Sequence, residues 1–204
     1  MVLPSRQVAA PDCQLNWEAF TRWSELFAPS ALVTSLPADP VDGQVINYDT
    51  GTDGVVWHFR YDAGSASAYK WQFVGGAPLY NEVTTDQGTA SGVPTDLATV
   101  GPSLTNPLAG DWIVEFGANM YSVTNNSAQI MALQVGGAGP ADANAGILIG
   151  QPAGSNTAHA SGARVIRRTA IAASSAWVPK YWQLGGGTGQ FRNRWITLTP
   201  IRVG

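Results

Sequence analysis

Asp111-Trp112-Ile113-Val114-Glu115-Phe116-Gly117-Ala118 reads as a β-strand. Trp112, Val114 and Phe116 recur at every second position, and Ile113 and Glu115 point the other way. A period of two is what a strand with one buried face requires. Segments of strand type follow at 128–135, 145–149, 163–172, 180–184 and 194–203, with Gly-rich loops at 136–140, 150–162 and 185–189 between them. Many short strands with turn signals between them predict a sandwich or jelly roll over 111–204.

Upstream the pattern thins. Residues 81–110 are polar and rich in Gly, Pro, Thr and Ser, with no basic residue, and read as an extended connector contributing one edge strand. A structureless loop of that length is unusual inside a compact domain, so it marks a boundary. Residues 38–80 read as a small β-meander with strands at 44–48, 55–61 and 69–74, joined by turns at 49–54 and 62–65. In its middle strand Val55, Trp57, Phe59 and Tyr61 share one face. About forty residues lie near the lower limit for an independent core, so this module leans on a neighbour. Residues 1–37 form an N-terminal segment with the only helical rhythm, near 15–27. There Phe20, Trp23 and Phe27 fall on one face, with Trp17 a turn earlier, and Pro29 stops the helix. Three aromatic-rich turns cannot fold alone. They dock either on the rest of the chain or on another protein.

The 204 residues carry only 25 charges, 11 Lys or Arg and 14 Asp or Glu, or 12% of the chain. The usual share is about 25%. Hydrophobic residues make up 45%, enough for a core and too many for a chain disordered by composition. The net charge of −3 argues against nucleic-acid binding through phosphate contacts. No run of about 20 apolar residues predicts a membrane-spanning helix, and the first residues lack the pattern of a signal peptide. Cys13, the single cysteine, excludes an internal disulfide and a cysteine-only zinc site.

The motifs that could carry chemistry read as structure. Asp49-Thr50-Gly51 resembles an aspartic-protease turn, but that chemistry needs a second carboxylate motif and none exists. As a calcium loop the same stretch fails, with Gly51 at the third position and Arg60 at the twelfth. The 185–189 glycines precede Gln190-Phe191, without the Lys-Ser/Thr of a phosphate cradle. His58 and His159 are about a hundred residues apart in unrelated settings and read as surface or interface residues. Beyond Gly110 only Asp111, Glu115 and Asp142 are acidic, which weighs against glycoside hydrolysis there. Arg164 and Arg168 face one way on their strand and Arg167 the other, so they form no nucleic-acid patch. No catalytic residue, metal or cofactor is expected.

Three stretches together carry a resemblance. Gly54-Val55-Val56-Trp57-His58-Phe59-Arg60-Tyr61 with Tyr69-Lys70-Trp71-Gln72-Phe73-Val74-Gly75-Gly76-Ala77-Pro78-Leu79 resembles a segment of tailed-phage virion proteins. These are minor tail or tail-fibre-like proteins, especially of phages of actinobacteria. Asn193-Arg194-Trp195-Ile196-Thr197-Leu198-Thr199-Pro200-Ile201-Arg202-Val203 is similar to their last strand, and 111–118 to the strand opening their distal jelly roll. Such domains are similar in plan to the trimeric tumour-necrosis-factor and complement-head sandwich.

The resemblance spans 36–204 and implies a non-enzymatic virion part, assembled as a homotrimer in the host cytoplasm. Its partners are other copies of itself, capsid, tail or fibre components, and a host-surface glycan; nucleic acid and membrane insertion are not implied. Trp17, Phe20, Trp23 and Phe27 are then the particle-docking residues. Trp112, Phe116, Arg167 and Trp195 are candidates for the trimer interface or the core. The part itself could be a tail tip, a fibre, a head appendage or a capsid decoration, and a carbohydrate-binding module is the competing class. Exposed Trp or Tyr stacking on sugars would carry that second role.

Overall fold

The computed structural model describes residues 32–52, 54–122, 127–139, 146–150 and 159–204. The helix expected over 15–27 and its four aromatic residues lie outside the described residues. Among the described residues every regular element is a strand. The first four are β1 (Leu32–Val33), β2 (Val45–Asp49), β3 (Val56–Tyr61) and β4 (Trp71–Gly76). Next come β5 (Leu79–Val83), β6 (Gln87–Thr89), β7 (Leu104–Thr105), β8 (Gly110–Ser122) and β9 (Ala128–Val135). The last are β10 (Ile147–Gly150), β11 (Ala160–Ile171), β12 (Ala176–Leu184) and β13 (Gly189–Val203).

The strands form two sheets. The first runs β1-β2-β3-β4-β13-β8-β11, with β5 and β6 also on β13. The second runs β10-β9-β12-β7. Fifteen residues long, β13 is the organising element. One of its edges pairs with β8 from Gly189↔Ser122 to Val203↔Gly110. The other is shared in succession by β6, β5 and β4. The stretch 81–110 thus holds the end of β5 together with β6 and β7. It also buries Leu97 and Asn106.

Alternation decides what lies between the sheets. Trp112, Val114, Phe116, Ala118 and Met120 of β8 point inward with Phe191, Ile196 and Leu198 of β13. They meet Met131 and Leu133 of β9 and Trp177 and Tyr181 of β12. The same cluster continues into Ile46, Tyr48, Trp57, Phe59 and Trp71 of the meander. Trp57 and Trp112, ring centroids 5.6 Å apart, join the two regions. The meander therefore leans on the body through two indoles.

Gly76 ends β4 at φ +123°, and a Cβ there would meet Val56 O and, at 2.9 Å, Trp57 Cδ1. Gly76→Ala is expected to cost about 1–3 kcal/mol, measured by urea unfolding. Gly51, at φ +75° with open space around it, provides the control for the backbone effect alone.

Candidate functional site

The outward face of β8, β11 and β13 contains a built surface feature. Opposite Trp195 on β13 stands Gly117 of β8, which pairs with Ala163 of β11. A Cβ on Gly117 would lie 2.7 Å from Trp195 Cε2 and 2.8 Å from Gly162 O. Glycine at this position lets the indole lie across β8. The turn of the indole follows from a bulge: Arg192 pairs with Asn119 but Trp195 with Gly117, so β13 carries an extra residue. Asn193 takes up the distortion at φ +47°, a conformation asparagine tolerates better than most residues. As a result Arg194 points into the core while Trp195 stays half-buried on the outside.

Beside the indole lies a shallow recess of about 380 Å³ lined by Ala118, Asn119, Ser161, Gly162, Ala163 and Asn193 as well as Trp195. A polar row crosses the three strands next to it. Arg192 Nε donates to Asn119 Oδ1 at 3.3 Å, and Asn119 Nδ2 donates to Ser161 Oγ at 3.3 Å. Further along β8, the Tyr121 ring lies 4.2 Å from the His159 ring, centroid to centroid, and the Arg192 guanidinium carbon lies over the Tyr121 ring at 5.8 Å. Tyr121 Oη donates to Asp86 Oδ2 at 2.7 Å. That hydrogen bond raises the Tyr121 hydroxyl above the usual phenol range, with desolvation adding to it and Arg192 opposing. The phenol therefore stays neutral and holds its proton toward Asp86.

The sequence-derived candidates separate. Trp112 and Phe116 are fully buried between the sheets. On the outward face sits Arg167, its side chain 62% exposed, donating to Asp111 Oδ2 of the same chain at 3.1 Å. Asp111 also accepts the Ala170 N–H at 3.0 Å, so it closes the irregular end of β11. Trp195 lines the recess. Trp17, Phe20, Trp23 and Phe27 lie outside the described residues. His58 is exposed and hydrogen-bonds Asn47, whereas His159 joins the Tyr121 end of the recess.

Sequence reasoning passed over Gly117, Asn119, Tyr121, Ser161, Arg192 and Asn193. They come from three strands far apart in sequence, and only the register of β8 with β11 and β13 assembles them. Among the described residues no three His, Cys, Asp or Glu side chains cluster as a metal site needs. Nor is any helix there long and apolar enough to cross a membrane.

No family model matches the chain, and no curated protein matches it. Two solved structures share part of its course. Dimeric latent PorU from Porphyromonas gingivalis is 12% identical, with a TM-score of 0.35 over 70% of this chain and 14% of that one. Isomalto-dextranase from Arthrobacter globiformis T6, complexed with panose, is 13% identical, with a TM-score of 0.32 over 78% of this chain and 24% of that one. The chain thus spans less than a quarter of either protein, and overlaps this loose say nothing of its function.

Proposed function

We propose that this chain is a structural component of a tailed-phage virion. It is a homotrimeric appendage of tail or head surface, docked by its N-terminal segment, whose β-rich body faces outward toward the host. The observation that carries the reading is the interleaved strand order. Sheet segment β5-β13-β8-β11 and its counterpart β10-β9-β12-β7 have the pairing order of an eight-stranded jelly roll. That is the plan of the trimeric sandwiches which the sequence resembles. The outward face of the first segment supports assembly. Ile113 and Val165 stand 36% and 61% exposed on adjacent strands, flanked by Thr197 and Thr199. Symmetric contact between copies would cover such a face. Of the charges near it, Arg167 and Asp111 are paired within the chain, whereas Glu115, exposed opposite Val165, is the carboxylate that a neighbouring copy has to meet with a cation or leave at the rim.

The test is the mass in solution: light scattering of the purified full chain is expected to give three times 21.5 kDa. A second expected result is that Val165→Glu shifts the population toward monomer, since a buried unpaired carboxylate is costly. A stable wild-type monomer would remove the trimer. Antibody labelling of intact particles in the electron microscope, with no particle-bound signal, would remove the virion role.

A further inference from the structure

We propose that the recess beside Trp195 is a saccharide-binding site, taking the ring of an uncharged pyranose unit. The indole is the platform, and Asn193, Asn119, Ser161 and Arg192 are the hydrogen-bonding groups. The proposal gives a ligand class to the host-surface contact of the reading above, and is tested separately from it.

The argument begins with shape. The Trp195 ring packs on β8 where Gly117 carries no side chain, a Cβ there falling 2.7 Å from its Cε2, so its seat is formed before any ligand arrives. A fixed indole face presents negative quadrupole density, which suits the weakly positive C–H face of a pyranose. Gly162, Ala163 and Ala118 leave the adjoining floor low enough for a ring to lie down. The polar groups then match hydroxyls, which both donate and accept. Asn119 already uses both ends of its amide across the strands, donating to Ser161 and accepting from Arg192. This row fixes the Ser161 hydroxyl and the Arg192 fork at the rim. The Asn193 side chain makes no hydrogen bond among the described residues, so both ends of its amide are available to a ligand.

Other ligand classes fit less well. A recess this shallow offers no apolar groove for a peptide helix. Arg192 is one cation beside a recess lined by uncharged residues, in a chain of net charge −3, which is not the basic track that phosphates need. The apolar pair Ile113 and Val165 and the recess share one sheet face. They adjoin, since Val165 is two residues from Ala163 of the recess on β11, so the binding test is run on the assembled oligomer, where footprinting reads whether Trp195 is open.

One ring on one aromatic platform predicts a dissociation constant on the order of 1 mM. The experiment is saturation-transfer NMR and titration of the full chain with methyl glycosides of glucose, galactose, mannose and N-acetylglucosamine and with their trisaccharides. Binding of at least one is expected. Trp195→Ala is expected to weaken it by about tenfold or more. Asn193→Gly keeps the positive φ and removes only the amide, so it folds normally and is expected to weaken binding by about two- to tenfold. Gly117→Ala retains the tryptophan but displaces its ring, and is expected to behave like Trp195→Ala. No binding by the wild type at about 10 mM of any probe overturns the proposal. So does full binding by a folded Trp195→Ala variant, or hydroxyl-radical footprinting that leaves Trp195 unmodified in the assembled oligomer. Loss of particle localisation with binding intact would overturn the virion role and leave this site standing.

Discussion

Replacing Trp112 with alanine is expected to lower the free energy of unfolding by about 3–5 kcal/mol, near the top of the range for core aromatic truncations. Trp112 is fully buried, and its ring meets that of Trp57 at the junction between meander and body. No neighbouring side chain can collapse into a void bounded by two sheets and a second indole, so the cavity term adds to the lost transfer energy. Two milder substitutions separate polar from packing contributions. Trp57 Nε1 donates to Ala77 O at 2.7 Å, whereas Trp112 Nε1 is buried with no hydrogen-bond partner among the described residues. Trp57→Phe leaves a carbonyl without its donor and is expected to cost about 1–2 kcal/mol more than Trp112→Phe. Trp112→Phe removes an N–H whose desolvation nothing offsets. Urea unfolding at one fixed protein concentration measures both, since assembly would otherwise shift the midpoints. Equal costs for the two phenylalanine variants would contradict the assignment of Trp112 Nε1 as unpaired.

The strands that alternate cleanly were legible in the sequence. The segments expected at 111–120, 128–135 and 55–61 correspond to β8, β9 and β3, and the inward set Trp112, Val114 and Phe116 follows from period two alone. The short strands were not legible. β6, Gln-Gly-Thr, and β7, Leu-Thr, have three and two residues and exist because β13 and β12 offer them an edge. β5, Leu-Tyr-Asn-Glu-Val, was divided between two sequence units because it gains its partner only from β13, with Leu79 opposite Leu198. Local pattern cannot report a partner supplied by residues a hundred positions away.

The recess was hidden for a related reason. Trp195 is one of eight tryptophans, and nothing in Asn193-Arg194-Trp195 announces a bulge. Whether a tryptophan fills a core or faces solvent depends on register, and one extra residue reverses it. The scarcity of charge also has an internal component. β9 buries both its faces, with Met131 and Leu133 toward the main core and Ile130 and Ala132 packed with Trp182 on the other side. Neutral strand residues there are accounted for within one chain. The face that assembly has to explain is the narrower one holding Ile113 and Val165.

Arg194→Ala is expected to cost about 3–5 kcal/mol, and at about 2–4 °C per kcal/mol for a chain of this size the melting temperature falls by roughly 6–20 °C. Arg194 is fully buried. Its Nη1 donates to Thr99 O at 3.3 Å and Gly101 O at 3.2 Å, and its Nη2 to Gln87 Oε1 at 3.2 Å. The guanidinium sits 5.3 Å from the Tyr181 ring centroid, and among the described residues no carboxylate pairs with it. One side chain on β13 therefore fastens three points of the stretch 87–101 over the end of the body. Tyr181 reinforces one of them, its hydroxyl also donating to Gly101 O at 2.9 Å while burial holds that phenol well above its usual range. Removing Arg194 leaves Gly101 O its tyrosine donor and Gln87 Oε1 its bond from the Thr99 N–H, so Thr99 O is the acceptor stranded. The alanine cost is then mainly the void and the lost charge-assisted bonds. Methionine fills the void and removes a cation that no anion compensates, so Arg194→Met is expected to cost less than half as much. Lysine keeps the charge but not the planar fork, and cannot reach three acceptors at once. The predicted order of destabilisation is therefore alanine, lysine, methionine. Thermal melts give the order, and limited proteolysis supplies a local readout: cleavage within 87–101 should rise in the same sequence as the stretch loses its anchor. Methionine proving as damaging as alanine would show that the carbonyl bonds, not the unpaired charge or the void, decide the stability of this end of the molecule.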